Sequence, residues 1–236
     1  MGCDIHAVVE KKNENGIWEA VYGESCMLDW YREQLEKAIK NDDGNSIDFF
    51  TKRVSQNLEP SLDWLYDGRC YDLFALLADV RNRNNITPIS EPKGLPDDIS
   101  EEIKEEADLW EYDGHSYSYY TLAELKEHIE THKDVCFTNG GYVSRSEYVT
   151  FLKKGCPSSW CGGVGGGKVM IISNEEMDEI LANTYKDYDS DKSYYTYINW
   201  EDNEISDTGL DSIVEKLATV CDDNDKNVRM VFWFDN

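Results

Sequence analysis

Apolar and polar positions alternate over residues 4–11 (Asp-Ile-His-Ala-Val-Val-Glu-Lys), which predicts a strand. The alternation puts Asp4, His6, Val8 and Glu10 on one face and Ile5, Ala7 and Val9 on the other. Asn13-Glu14-Asn15-Gly16 then reads as a hairpin turn, because Asn-Gly tolerates the positive φ such turns need. Residues 17–22 form the return strand. Leu28, Tyr31, Leu35 and Ile39 recur at helical spacing, so 28–40 is helical, and Asp42-Asp43-Gly44-Asn45 stops it. A weaker helical pattern covers 47–56, and a strong one covers 71–81 (YDLFALLADVR). Residues 84–96 form a loop punctuated by Pro88, Pro92, Gly94 and Pro96.

Further on, Asp98-Ile-Ser-Glu101 and Thr121-Leu-Ala-Glu124 have the spacing of capping boxes. They open helices that end near Trp110 and His132. Residues 111–120 (EYDGHSYSYY) are polar and aromatic and read as a loop, and 146–153 as a short helix. Lys168–Ser173 is expected as a buried strand, Ser173 as the cap of a following helix, and 194–200 (YYTYINW) as a strand or an aromatic loop. Residues 210–220 are helical and 228–234 (VRMVFWF) form the last strand. The regular alternation of a βαβ repeat is absent. The expected class is α+β: a mainly antiparallel sheet with helices packed on one side and inserted between strands. Residues 1–236 are expected as a single domain, with a variable helical insertion around 24–68.

Composition narrows the function classes. The 236 residues carry 48 acidic and 23 basic side chains, a net charge of −25. Such a chain has no broad basic face, so direct nucleic-acid binding is not expected. No apolar run is long enough to span a membrane, and the start lacks the features of a signal peptide. The charge is uneven. Residues 97–113 hold nine acids and one lysine, and 174–225 hold sixteen acids and three lysines. Residues 69–94 carry Arg69, Arg81, Arg83 and Lys93 against three acids, the one long stretch able to line a basic pocket.

Seven scattered cysteines without a secretion signal point to a reduced cytoplasm. Cys156 and Cys161 form a close pair, but no second pair stands at a zinc spacing. No metal site and no cofactor are expected. Gly162–Lys168 fits a P-loop consensus formally, yet Val169 replaces the magnesium-binding hydroxyl and the loop precedes a strand.

Two features carry candidate chemistry. Asp4 and His6 share a strand face, and a carboxylate beside an imidazole suits acid–base work. Asp113, His115, Ser116 and Tyr117 crowd a glycine-bearing segment whose tyrosines could stack on a base. His128 and His132 sit one helical turn apart and are assigned a surface role.

The opening Met1-Gly2-Cys3-Asp4-Ile5-His6 and the closing Val231-Phe232-Trp233-Phe234-Asp235-Asn236 resemble those of a family of uncharacterised phage- and prophage-encoded proteins. Tyr71–Phe74, Val80–Asn82, Glu91–Pro96 and Asp113–Ser116 are similar too. The resemblance implies a mobile-element context and action inside the cytoplasm of a bacterial host, against its defences. The leading expectation is a binder that sequesters a nucleotide-derived signal. Asp4, His6, Arg81, Lys93, Asp113, His115, Ser116 and Tyr117 would hold it. The alternatives are a hydrolase using His6 and His115 as base and acid, and an acidic mimic of nucleic acid that blocks a host protein. Self-association is left open.

Overall fold

The computed structural model describes residues 2–25, 27–62, 64–66 and 68–236; Met1 of the opening run and Cys26 lie outside them. Two compact units emerge: Met1–Lys133 with Thr208–Asn236, and Asp134–Asp207. The class is α+β. The described residues form seven strands and eight α-helices.

The first unit is built on an antiparallel sheet of order β2-β1-β7-β3, with β1 at Asp4–Lys12, β2 at Trp18–Ala20, β3 at His115–Thr121 and β7 at Val228–Asp235. Asn13 makes the β1–β2 turn: its side chain accepts from Asn15 N and Ile17 N, and Gly16 takes φ +77°. Strand β7 lies between β1 and β3, which explains why residues 228–234 are all buried and, Arg229 apart, all apolar. Helix α4 (Glu101–Asp108) lays Ile103 and Ala107 against Val8, Val231 and Trp233 on one face. Helix α3 (Tyr71–Ala78) meets the other face, with the Phe74 ring 5.0 Å from Phe234. Leu73–Ala78 are all buried. Each large apolar side chain there contributes roughly 1.5–3 kcal/mol of transfer free energy.

Helices α1 (Leu28–Lys40) and α2 (Gly44–Gln56) form a hairpin, and Asp43 caps α2 by accepting from Ser46 N. Thr121 and Glu124 form the expected capping box of α5 (Leu122–His132), which packs on α8 (Leu210–Thr219).

The Asp98–Glu101 box does not form. Ser100 precedes α4, and Asp98 is drawn elsewhere, accepting from Arg229 Nη1 at 2.7 Å and Trp18 Nε1 at 2.9 Å. Arg229 also donates to Glu10 at 2.5 Å, and Glu10 accepts from Ser100 N at 2.6 Å. This network ties the start of α4 to the sheet. Burial works to raise the Asp98 carboxyl, but the hydrogen bond and charge of Arg229, helped by Trp18, outweigh it and hold the group below the usual range. The stabilisation is therefore complete above the unfolded value near pH ~4 and disappears as pH falls through the lower folded value. The melting-temperature gap between wild type and Asp98→Asn is expected to be constant from pH 7 to 5 and to close below about pH 4. A gap unchanged down to pH ~2 would rule out Asp98 as the titrating group. The side chain is 66% exposed, so solvent screening keeps the effect small.

The second unit is a three-stranded sheet of order β4-β6-β5. Strand β4 (Cys136–Ser144) pairs antiparallel with β6 (Ser193–Asn203) over its whole length, from Cys136↔Asn203 to Ser144↔Tyr195. Strand β5 (Val169–Ile171) runs parallel to β6. It is shorter than expected and not a buried strand: Met170 and Ile171 are exposed. Helix α6 (Arg145–Lys154) follows β4 directly, and α7 (Asn174–Leu181) starts at the expected Ser173–Glu176 capping box. The core contains Val143, Tyr148, Ile172, Met177, Ile180, Tyr194, Ile198 and Trp200. Cys156 and Cys161 are half-buried free thiols. Among the described residues no helix is long and apolar enough to cross a membrane.

Candidate functional site

His6 lies on β1 opposite Trp233 of β7, and Asp4 opposite Asp235. The imidazole packs against Trp233 at 5.4 Å and Trp110 at 4.1 Å, and its Nε2 is 3.4 Å from Asp235 Oδ2. Asp4 is occupied by Arg69, which donates from Nε at 2.7 Å and from Nη2 at 2.5 Å. Arg81, held at φ +55°, donates to Gly2 O and to Asn236 Oδ1. One end of the β1–β7 ladder thus gathers Asp4, His6, Arg69, Arg81, Asp235 and Asn236. Burial raises the Cys3 thiol there, despite the opposing hydrogen bond and charge of Arg81. Next to this cluster His6, Tyr22, Leu62, Glu106 and Trp233 line a hollow of about 270 Å3.

Residues 115–121 are not the expected loop but β3, which borders β7 on the side away from β1. A bulge between His115 and Ser118 puts Ser116 at φ +52° and separates neighbouring side chains. Tyr117 stacks on Trp233 at 5.9 Å and so shares the face of His6. Burial, with the Asp108 charge, raises its hydroxyl. His115 pairs with Phe234 and stacks on it at 6.0 Å, on the face that carries Ile5. The sheet therefore stands between the His6 and His115 imidazoles, and the two cannot serve one reacting atom as base and acid. His115 Nδ1 instead meets Ser116 Oγ at 3.0 Å.

The other expected ligands are also dispersed. Asp113 is exposed in the turn before β3. Lys93 donates to Glu124 at 2.9 Å and covers the Tyr120 ring at 4.4 Å. His128, expected at the surface, is buried and stacks on His132 at 4.0 Å.

The second unit holds a larger hollow that sequence reasoning missed. It measures about 610 Å3 and lies among the first turn of α6, the end of α7, the 182–192 loop and the start of β6. The register Ser144↔Tyr195 sets the α6 N-terminus beside β6. Ser144 accepts from Glu147 N, and Ser144, Arg145 and Ser146 face the hollow. The loop is fixed from inside: the buried Tyr194 hydroxyl accepts from Asp189 N at 2.7 Å, and Tyr188 stacks on Tyr194 at 5.4 Å. Lys192, Ser193 and Tyr195 complete that side.

Among the described residues no carboxylate lines this hollow, and no ion pair forms at Arg145 or Lys192. In a chain with 48 acids, this lining sets two uncommitted cations beside three serines and three tyrosines, a set of donors and rings whose chemistry complements an anion bearing a ring. The volume falls in the range of small-molecule sites, about 300–1,000 Å3. The signals were present but scattered. Lys192 sat inside the acidic 174–225 stretch, and Arg145 stood one residue before the expected helix. No family model, no curated protein and no solved structure matches the chain.

Proposed function

We propose that the protein binds a phosphate-bearing, nucleotide-type small molecule in the hollow of the second unit. The observation that carries this is the convergence of Arg145 and Lys192, neither paired, on a hollow without carboxylates among the described residues. A guanidinium and an ammonium supply charge-assisted donors to phosphate oxygens. The first turn of α6 adds backbone N–H groups and the positive end of its dipole. Tyrosines 188, 194 and 195 offer ring surface for a base. The resemblance of the opening and closing runs to phage-encoded proteins adds a context, in which binding sequesters a host signal. The ligand cluster expected around His6 supports this reading less well. Its arginines are already engaged, and Glu106 and Asp235 flank the hollow there with negative charge.

Titration calorimetry with AMP and adenosine tests the reading. AMP is expected to bind and adenosine to bind at least tenfold more weakly. Arg145→Ala and Lys192→Ala should each weaken AMP by roughly 10–100-fold, the worth of a hydrogen bond to a charged group. Raising salt should weaken AMP in parallel. Equal affinity for nucleotide and nucleoside, or variants that bind AMP as the wild type does, would discard the proposal. AMP recovered intact after denaturation marks a binder. Recovery of adenosine and phosphate instead favours the second reading, a hydrolase, for which the His6–Asp235 contact at a hollow is the specific observation.

A further inference from the structure

Beside the 610 Å3 hollow lies a smaller one of about 180 Å3, lined by Arg145, Ile180, Asn183, Tyr185 and Tyr188. Arg145 and Tyr188 border both hollows; Lys192 borders only the larger. Alone, the smaller hollow lies below the range of small-molecule sites, about 300–1,000 Å3. With its neighbour it has the form of a subsite. Asn183 stands at φ +57° in the turn that ends α7, which brings its amide to the rim. Tyr185 closes the far side. Its hydroxyl donates to Glu176 at 3.4 Å, and its ring meets Tyr194 edge-on at 6.1 Å, so it is held in place.

We infer that the ligand has two ring systems joined through a phosphodiester, with one ring in each hollow and the bridging phosphate at Arg145. This rests on the nucleotide reading above and adds the ligand's size and the role of the smaller hollow. Arg145 is the one cation common to both spaces among the described residues, which suits a single linking anion better than two separated phosphates. Tyr185 presents ring surface, and Asn183 offers both a donor and an acceptor to the edge of the second base. Joining two weak sites in one molecule raises affinity without requiring new contacts at the first.

The probes are AMP and adenylyl-(3′→5′)-adenosine, titrated against the full chain and against Tyr185→Ala and Asn183→Gly. The dinucleotide is expected to bind at least tenfold more tightly than AMP. Tyr185→Ala should remove most of that advantage while AMP affinity stays within about twofold, which also reports a folded first hollow. Should Tyr185→Ala lose AMP as well, Asn183→Gly decides, because glycine accepts the φ of that position without strain. It should lower dinucleotide affinity about fivefold, within the range for one neutral hydrogen bond, and leave AMP unchanged. Equal binding of AMP and the dinucleotide by the wild type overturns the two-ring inference and leaves the nucleotide reading standing. So does an advantage that survives both variants. Failure of both probes to bind removes the nucleotide reading itself.

Discussion

Arg229→Ala is expected to lower the opening free energy of the first unit by roughly 3–5 kcal/mol, the cost of stranding a buried charge. Glu10 is fully buried and Arg229 is 3% exposed, and their ion pair is made at 2.5 Å. Removing the guanidinium leaves the Glu10 carboxylate with Ser100 N as its other recorded donor. Arg229 also lies over the Trp18 ring at 4.0 Å and satisfies Asp98, so the start of α4 should loosen too. Asp98 itself is mostly exposed and can be rehydrated, which assigns the larger part of the loss to Glu10. Replacing both charges with apolar side chains, Glu10→Leu with Arg229→Met, should recover most of the stability, because no charge is then left in hydrocarbon. Native-state hydrogen exchange at the Val8 and Val231 amides reads this unit by itself. A loss below about 1 kcal/mol for Arg229→Ala would mean that Glu10 is neutralised or hydrated once its partner is gone.

Much of the fold was legible because local chemistry and tertiary context agree. The Asn13–Gly16 turn, the Thr121 and Ser173 capping boxes, and the helices beginning near residues 28, 71 and 210 all follow from side-chain spacing. Strand β4 was not legible. Gly140 and Gly141 interrupt its apolar alternation, and their reason lies across the sheet. A Cβ at Gly140 would come within 2.5 Å of the Tyr197 hydroxyl, and one at Gly141 within 2.7 Å of the Trp160 ring. Strand β3 was missed because tyrosines on both faces hide its alternation: Tyr117 stacks on Trp233 while Tyr120 reaches α3, donating to Leu77 O at 2.9 Å. Asp98 misled for a related reason. The capping spacing was right, but a buried arginine 131 positions away offered the carboxylate a stronger partner.

The candidate site was only partly legible. Period-two reasoning gave the correct face for His6, with Val8 and Glu10 beside it. It could not give the face of His115, because the bulge before Ser118 breaks the count that alternation relies on. The hollow of the second unit needed three segments brought together: residues 144–149, 181–188 and 192–195. The first two carry no net charge, and the third carries a single lysine. Charge averaged over a window hides a lone lysine preceded by aspartates, whereas the fold sets Lys192 and Arg145 on one lining and leaves Asp189 and Asp191 off it.

Trp233→Ala is expected to destabilise the first unit by roughly 3–5 kcal/mol and to open a void beneath His6. The indole is completely buried between β1 and α4. Its contacts include His6, Tyr117, Val8 and Ile103, which belong to different elements, so no single shift can close the gap. The Trp233 Nε1 finds no hydrogen-bond partner among the described residues, so part of the lost packing is offset by removal of a desolvated donor. That puts the expected loss toward the lower end, and it makes Trp233→Phe cheaper than volume alone suggests. Because the void would be apolar and would adjoin the existing 270 Å3 hollow, it should accept a flat apolar molecule. Indole is therefore expected to raise the melting temperature of Trp233→Ala and leave the wild type unchanged. A variant that melts within about 2 °C of wild type and ignores indole would show that the sheet and α4 collapse into the space, and that Trp233 fills the interface without setting its spacing.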